Sequence, residues 1–213
     1  MAPYNIITLL SDGIDSPVAS YLMMKKGFIP IFLTFITTKS QERQMKKKIR
    51  SIVKKLKKFS KNKLKIYFIP FTNTLEHLIE KCPRKLTCIL CKRLMYRISI
   101  RIGVKEQTNL ILTGDILGEQ ASQTLSNLDS FHSIFKDHIK ISPLIGMNKL
   151  DVININKEIG LFQVCSQKLH SCQYYPQYPE TNSKITEIIH AETLINLDIL
   201  ILNAINKAKI EEI

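Results

Sequence analysis

No run of about 18 apolar residues occurs in these 213 residues, so no transmembrane helix and no membrane partner is expected. No basic leader with an apolar core precedes the first strand pattern, so no signal peptide is expected, and the cytoplasm is the expected location. The Gly-x-x-x-x-Gly-Lys-Ser/Thr phosphate loop is missing. His77, His132, His138, His170 and His190 show neither metal-ligand nor triad spacing. No internal repeat and no long linker is visible. Acidic residues are almost absent from one stretch: Lys39 to Lys65 holds thirteen Lys or Arg and one acid, Glu42. Nearly all of the net charge of +13 therefore sits there.

What is present fits a globular chain. The apolar fraction is 45% and the charged fraction 23%, and the length suits a single domain over residues 1–213. Apolar strand patterns alternate with helical ones. Strands are expected at Asn5–Leu10, Ile29–Phe35, Lys65–Phe71 and Leu110–Thr113. Helices are expected at Val18–Lys26, Leu75–Ile79, Cys91–Ile102, Ala121–Leu128, Lys149–Ile159 and Glu192–Lys207. The basic stretch is itself helical in period, since Met45, Ile49, Ile52, Val53 and Leu56 form a narrow apolar stripe. His170–Ser183 reads as an irregular loop. This alternation predicts an α/β fold, an open and mostly parallel sheet with helices on both faces. Ligands bind such sheets at the carboxyl ends of strands, where Ser11–Ser16, Thr34–Phe35 and Gly114–Asp115 fall.

The most informative stretch is Ser11-Asp12-Gly13-Ile14-Asp15-Ser16, between a strand and a helix that opens with Pro17. Unpaired N–H groups and the helix dipole favour an anion at such a start. The loop resembles the SGGxDS loop of ATP pyrophosphatases, with Asp12 in place of a glycine. Three further segments extend the likeness in the same order. They are Lys92-Arg93-Leu94-Met95-Tyr96-Arg97, the stretch from Thr113-Gly114-Asp115 to Gln120-Ala121-Ser122-Gln123-Thr124-Leu125, and Pro143-Leu144-Ile145-Gly146-Met147-Asn148-Lys149.

On these segments the chain resembles the tRNA 4-thiouridine sulfurtransferases over essentially its whole length. The resemblance implies a PP-loop, adenine nucleotide alpha hydrolase-like fold. It implies adenylation of a tRNA uridine at O4 with ATP and Mg²⁺, then displacement of AMP by sulfur. Leu9, Leu10, Ser11, Gly13 and Ser16 would line the ATP site, and Thr34 and Phe35 would hold the adenine edge. Lys92, Gly114 and Gln123 would complete the pocket, with Asp15 and Lys149 as the catalytic pair around the phosphates. Cys172 matches the family's catalytic cysteine. The chain is expected to begin about where a catalytic domain would, and to lack the family's THUMP region and a following rhodanese domain. The expected partners are therefore tRNA, a sulfide or persulfide donor, a separate THUMP-containing protein and a second copy of the chain.

The sulfur chemistry leaves several readings open. Cys88-Ile-Leu-Cys91 at a helix start sits beside positive charge, which predicts lowered thiol pKa values. Together with Cys172 it would hold a [4Fe–4S] cluster, as in archaeal relatives. The pair could instead form a redox disulfide attacked by a persulfide on Cys172, or hold zinc. Cys165 is expected to be a buried small hydrophobe, and Cys82 a spare ligand or a surface thiol. The basic helix is either an RNA-binding face or a solvated one. Two other functions compete with tRNA thiolation. One is a sulfurtransferase with another acceptor. The other is a non-catalytic RNA-binding or assembly subunit whose loop has drifted.

Overall fold

The computed structural model describes residues 4–167, 169 and 172–213. Its strands are β1 (Tyr4–Leu9), β2 (Phe28–Ile36), β3 (Lys65–Pro70), β4 (Leu110–Leu112), β5 (Ile139–Ile141) and β6 (Lys209–Glu212). Its helices are α1 (Asp15–Lys25), α2 (Glu42–Leu56), α3 (Thr72–Lys81), α4 (Thr87–Lys105) and α5 (Leu125–Asp129). They continue with α6 (Lys149–Glu158), α7 (Phe162–Cys165), α8 (Ile185–Thr193) and α9 (Leu197–Asn206). The strands form one sheet in the order β5-β4-β1-β2-β3-β6, and every pair is parallel except β3 with β6.

The sheet is covered on both faces, which is why its central strands read as continuous apolar runs. In β2, Phe32 and Ile36 pack beneath the α2 stripe of Ile49, Ile52, Val53 and Leu56. Leu33 and Phe35 point the other way, into a core shared with α3, α4, α8 and α9. Val18, Ala19 and Met23 of α1 cover Ile6 and Leu112 beside Val152 of α6.

The chain runs from β1 through β2 to β3, then crosses back to lay β4 against the other side of β1. The crevice at the carboxyl ends of β1 and β4 is thus a topological switch point, the place where open α/β sheets bind ligands. Both the loop after β1 and the Gly114–Asp115 turn after β4 open there.

The structure departs from the expected elements in several places, among them α7 and most of α8, which no expected helix covers. Strands β5 and β6 are added at the two edges, where their short, charged sequences, Ile-Lys-Ile and Lys-Ile-Glu-Glu, give little strand pattern. The predicted helix Glu192–Lys207 is two helices bent by 74°. Ile195 turns inward between them, and the Asn196 side chain accepts from the Ile199 N–H to start α9 afresh. The predicted helix Ala121–Leu128 is a single 3₁₀ turn followed by α5, because Thr124 caps α5 by accepting from the Asn127 N–H. Finally, α4 begins earlier than expected, at Thr87, so both cysteines of the Cys-x-x-Cys pair are helical. Among the described residues no single helix is long and apolar enough to cross a membrane.

Candidate active site

The phosphate loop is closed by its two serines. The Ser11 N–H donates to Ser16 Oγ at 2.8 Å, and the two hydroxyls lie 3.0 Å apart. Ile14 precedes α1, and among the described residues no side chain caps the N-terminus of that helix. A second helix start faces it. Asn148 caps α6 by accepting from the Asp151 N–H, which places Lys149 in the first helical position. Its ammonium reaches Asp15 Oδ1 at 2.5 Å. Two helix N-termini and a lysine thus surround one carboxylate, and the combined field favours an anion with a bound cation.

Gly114 presses against this loop. A Cβ there would lie 2.7 Å from Ser16 N and 2.8 Å from Ser16 Cα, so only glycine permits the approach.

Behind Gly114 stands a centre that sequence reasoning missed. Asp115 is buried, and it receives Lys92 Nζ at 2.7 Å, Lys140 Nζ at 2.8 Å and the Thr113 hydroxyl at 2.8 Å. Gln123 Nε2 donates to it at 3.3 Å, while Gln123 Oε1 is buried with no partner among the described residues. Burial alone would raise the Asp115 carboxyl, but Lys92 and Lys140 together hold it well below the ordinary carboxylate range. A depressed folded pKa stabilises the fold above the unfolded value of 3.8 and loses that contribution as pH falls through the folded value. Asp115→Ala leaves two lysines unpaired in the interior and is expected to cost about 3–5 kcal/mol, read as a lower urea midpoint at pH 7. Asp115→Asn is expected to flatten the fall in stability below about pH 4.

Two adjoining cavities open beside the loop. One, of about 330 Å³, is lined by Leu9, Leu10, Ser11, Asp12 and Phe35, all beside the loop or the end of β2. The other, of about 420 Å³, is lined by Cys88, Cys91, Lys92, Ser122 and Tyr175. Thr37, Met95 and Cys172 line both. The α4 contribution follows from helix geometry, since Cys88, Cys91, Lys92 and Met95 recur at i, i+3, i+4 and i+7 on one face. Thr34 lines neither cavity. It is fully buried and its hydroxyl donates to the Leu10 carbonyl at 2.9 Å, so its side chain is not available to hold a base edge.

The thiols differ from their expected state. Burial pushes the Cys88 thiol up to about 11 and raises Cys91 further, and Cys172 adds to both shifts. Arg84 and Lys92 oppose the rise at Cys88, and Lys92 at Cys91, too weakly to reverse it. Without a metal these are neutral thiols at pH 7. All five cysteines are free. Among the described residues no three His, Cys, Asp or Glu side chains gather closely enough to hold a metal ion, the trio Cys88, Cys91 and Cys172 included. Cys165 is buried as expected. Cys82 is neither spare ligand nor surface thiol: it is buried, with Sγ donating to the Ala191 carbonyl at 3.4 Å. Of the histidines, His170 lies outside the described residues. Tyr174 is buried with its hydroxyl on Glu76, whereas Tyr178 is 77% exposed.

The basic segment divides in two. Lys46 pairs with Glu42, Arg50 with Glu211, and Lys48 turns inward to Asp12, while Lys55 donates to the Gly160 carbonyl. Arg43, Lys47, Lys54 and Lys58 are exposed, and among the described residues no acid lies within ion-pair distance of them. Their spacing of four, seven and four residues puts them on one stripe, opposite the buried face.

A sheet of this order with a serine-closed loop at the switch point defines a PP-loop ATP pyrophosphatase fold. Within that class the chain belongs to the ThiI family, whose sequence model, described as thiamine biosynthesis protein (ThiI), matches residues 3–197. The probable tRNA sulfurtransferase of Methanosarcina mazei is 34% identical over 207 residues, covering 96% of this chain and 51% of that protein. That of Clostridium kluyveri is 32% identical over 203 residues, covering 94% and 53%. The chain therefore spans about half the length of the curated relatives it matches. A crystal structure of a 4-thiouridine synthetase–RNA complex with bound ATP superposes with a TM-score of 0.88 at 30% identity, over 99% of this chain and 55% of that one. NMN synthetase from Francisella tularensis, at 17% identity and a TM-score of 0.58 over 95% of this chain and 83% of that one, shares the fold.

Proposed function

We propose that this domain uses ATP to adenylate a tRNA uridine at O4 and then replaces that oxygen with sulfur, giving 4-thiouridine. One observation carries the reading: the cavity beside the phosphate loop and the cavity holding the Cys-x-x-Cys pair share a wall that includes Cys172. An adenylated base formed at the first lies within reach of sulfur held at the second. The names of the similar proteins, and the RNA and ATP in the 4-thiouridine synthetase complex, support the same reading.

In the first step the uridine O4 attacks the α-phosphorus and the bond to the β-phosphate oxygen breaks. Lys149 and the first N–H groups of α1 offset charge on the departing pyrophosphate. Asp15 offers the oxygen ligand that Mg²⁺ prefers, and a Mg²⁺ that keeps most of its ligands as phosphate and water needs only one or two protein carboxylates. Mg²⁺ would add further charge neutralisation at the phosphates. Lys92, aligned by Asp115, and Gln123, which donates to the same carboxylate, are the residues proposed to complete the nucleotide pocket. In the second step a sulfur nucleophile attacks C4 and AMP leaves with the original oxygen.

Cys88, Cys91 and Cys172 are three sulfurs on one cavity, the donor chemistry of an iron–sulfur cluster with one open iron. A cluster held there would present inorganic sulfide next to the base. The test of this part is iron and sulfide content after anaerobic reconstitution, compared with Cys88→Ala.

The RNA would lie along the unpaired stripe of α2 and of the 3₁₀ turn after it, which carries Lys58. Replacing Arg43, Lys47, Lys54 and Lys58 together by Ser is expected to flatten the salt dependence of RNA binding by about 3 in log–log slope, from roughly 0.7–0.9 per phosphate contact. An unchanged slope removes α2 from the RNA path. A THUMP-type RNA-binding module and a second copy of the chain are the further partners proposed. The direct test of function is release of pyrophosphate and AMP in step with thiolated nucleoside, from ATP, sulfide and unmodified tRNA. ATP turnover without thiolated product overturns the sulfurtransferase reading.

A further inference from the structure

The loop this chain resembles carries glycine where Asp12 stands, and a carboxylate beside bound polyphosphate repels it. Asp12 lines the 330 Å³ cavity with its side chain 30% exposed. Its counterion comes from the basic helix. Lys48 is buried at 5% side-chain exposure, and its ammonium makes three contacts: Asp12 Oδ2 at 3.0 Å, the Cys165 carbonyl at 3.2 Å and the Gln167 carbonyl at 2.7 Å. An ammonium has three hydrogens, so every donor is used. The partners belong to the phosphate loop, the end of α7 and the segment five residues before Cys172. Cys172 lines the same cavity as Asp12.

We propose that Lys48 is a positioning residue that couples the two halves of the site. It neutralises Asp12 so that the loop accepts polyphosphate, and it ties the Gln167 carbonyl, five residues before Cys172 in sequence, to that loop. The inference rests on the nucleotide reading of this cavity. Its two parts separate by mutation. Lys48→Met leaves an unpaired carboxylate facing the nucleotide and removes the tie. Asp12→Gly in that background removes the carboxylate and leaves the tie broken.

Direct ATP binding by calorimetry tests the first part. Lys48→Met is expected to weaken ATP on the order of 10–100-fold, the effect of an uncompensated charge at contact range. The double variant is expected to recover affinity to within a few-fold of the parent. A lysine that merely filled space would give a double variant no tighter than the single one, which overturns the proposal. Should Lys48→Met fail to fold, Asp12→Asn serves, since it leaves the Lys48 charge unopposed beside the phosphates. It is expected to bind ATP several-fold more tightly, and unchanged or weaker binding overturns the proposal. The second part is read as thiolated nucleoside formed per pyrophosphate released. That ratio is expected to stay low in the double variant although ATP binding recovers, and full recovery overturns the tie. A parent protein that does not bind ATP overturns the nucleotide reading itself, an outcome distinct from unaltered binding in the variants.

Discussion

Asp15→Ala lowers pyrophosphate release by at least about 10³ while the protein stays folded. The pair it breaks with Lys149 is 20% and 35% exposed on its two sides, and a pair so open to water stabilises a fold by about 1 kcal/mol or less. The expected catalytic effect is far larger, because removing one preorganised charge from a reacting phosphate costs about 10²–10³ and Asp15 is also the carboxylate proposed to hold the metal. Lys149→Ala is expected to behave alike. The check is a pyrophosphate assay beside a thermal melt. A large rate loss with a nearly unchanged melt is the expected pattern, and near-normal release places the phosphate chemistry elsewhere.

Cys172→Ala divides the reaction at its midpoint. Pyrophosphate release continues, and thiolated nucleoside is lost. The side chain is exposed and stands where the two cavities meet, so alanine costs little stability and leaves the phosphate loop untouched. Loss of both activities would show that Cys172 serves the nucleotide step, and retention of both would remove it from sulfur delivery. The comparison is made by quantifying pyrophosphate and nucleosides from the same reaction.

The parts of the site that were legible in the sequence are local. The loop after β1 announces itself by serines, glycine and proline between a strand and a helix. The α4 face is a helical periodicity of Cys88, Cys91, Lys92 and Met95, and the apolar stripe of α2 is another. What was hidden depends on contacts between distant segments. Asp12 looks like a defect in its loop until Lys48, 36 residues away, arrives from the basic helix. Asp115 gains its second lysine from β5, a three-residue strand too short to read. The thiols of Cys88 and Cys91 sit beside cations in sequence, yet burial dominates and drives their pKa values up. Position in the chain reveals neighbours, whereas desolvation is a property of the packed fold. The turn at Leu194–Asn196 was missed for a related reason: an apolar run gives no sign of where it bends until a capping asparagine is seen to act.

The central claim is that O4 of the uridine is activated as its adenylate before sulfur replaces it. A tRNA transcript carrying ¹⁸O at O4 of the target uridine, incubated with ATP, Mg²⁺ and sulfide, tests it directly by mass spectrometry of the nucleotides released. One ¹⁸O in AMP is expected for each thiolated uridine formed. Label in pyrophosphate or in water, with unlabelled AMP, would contradict it.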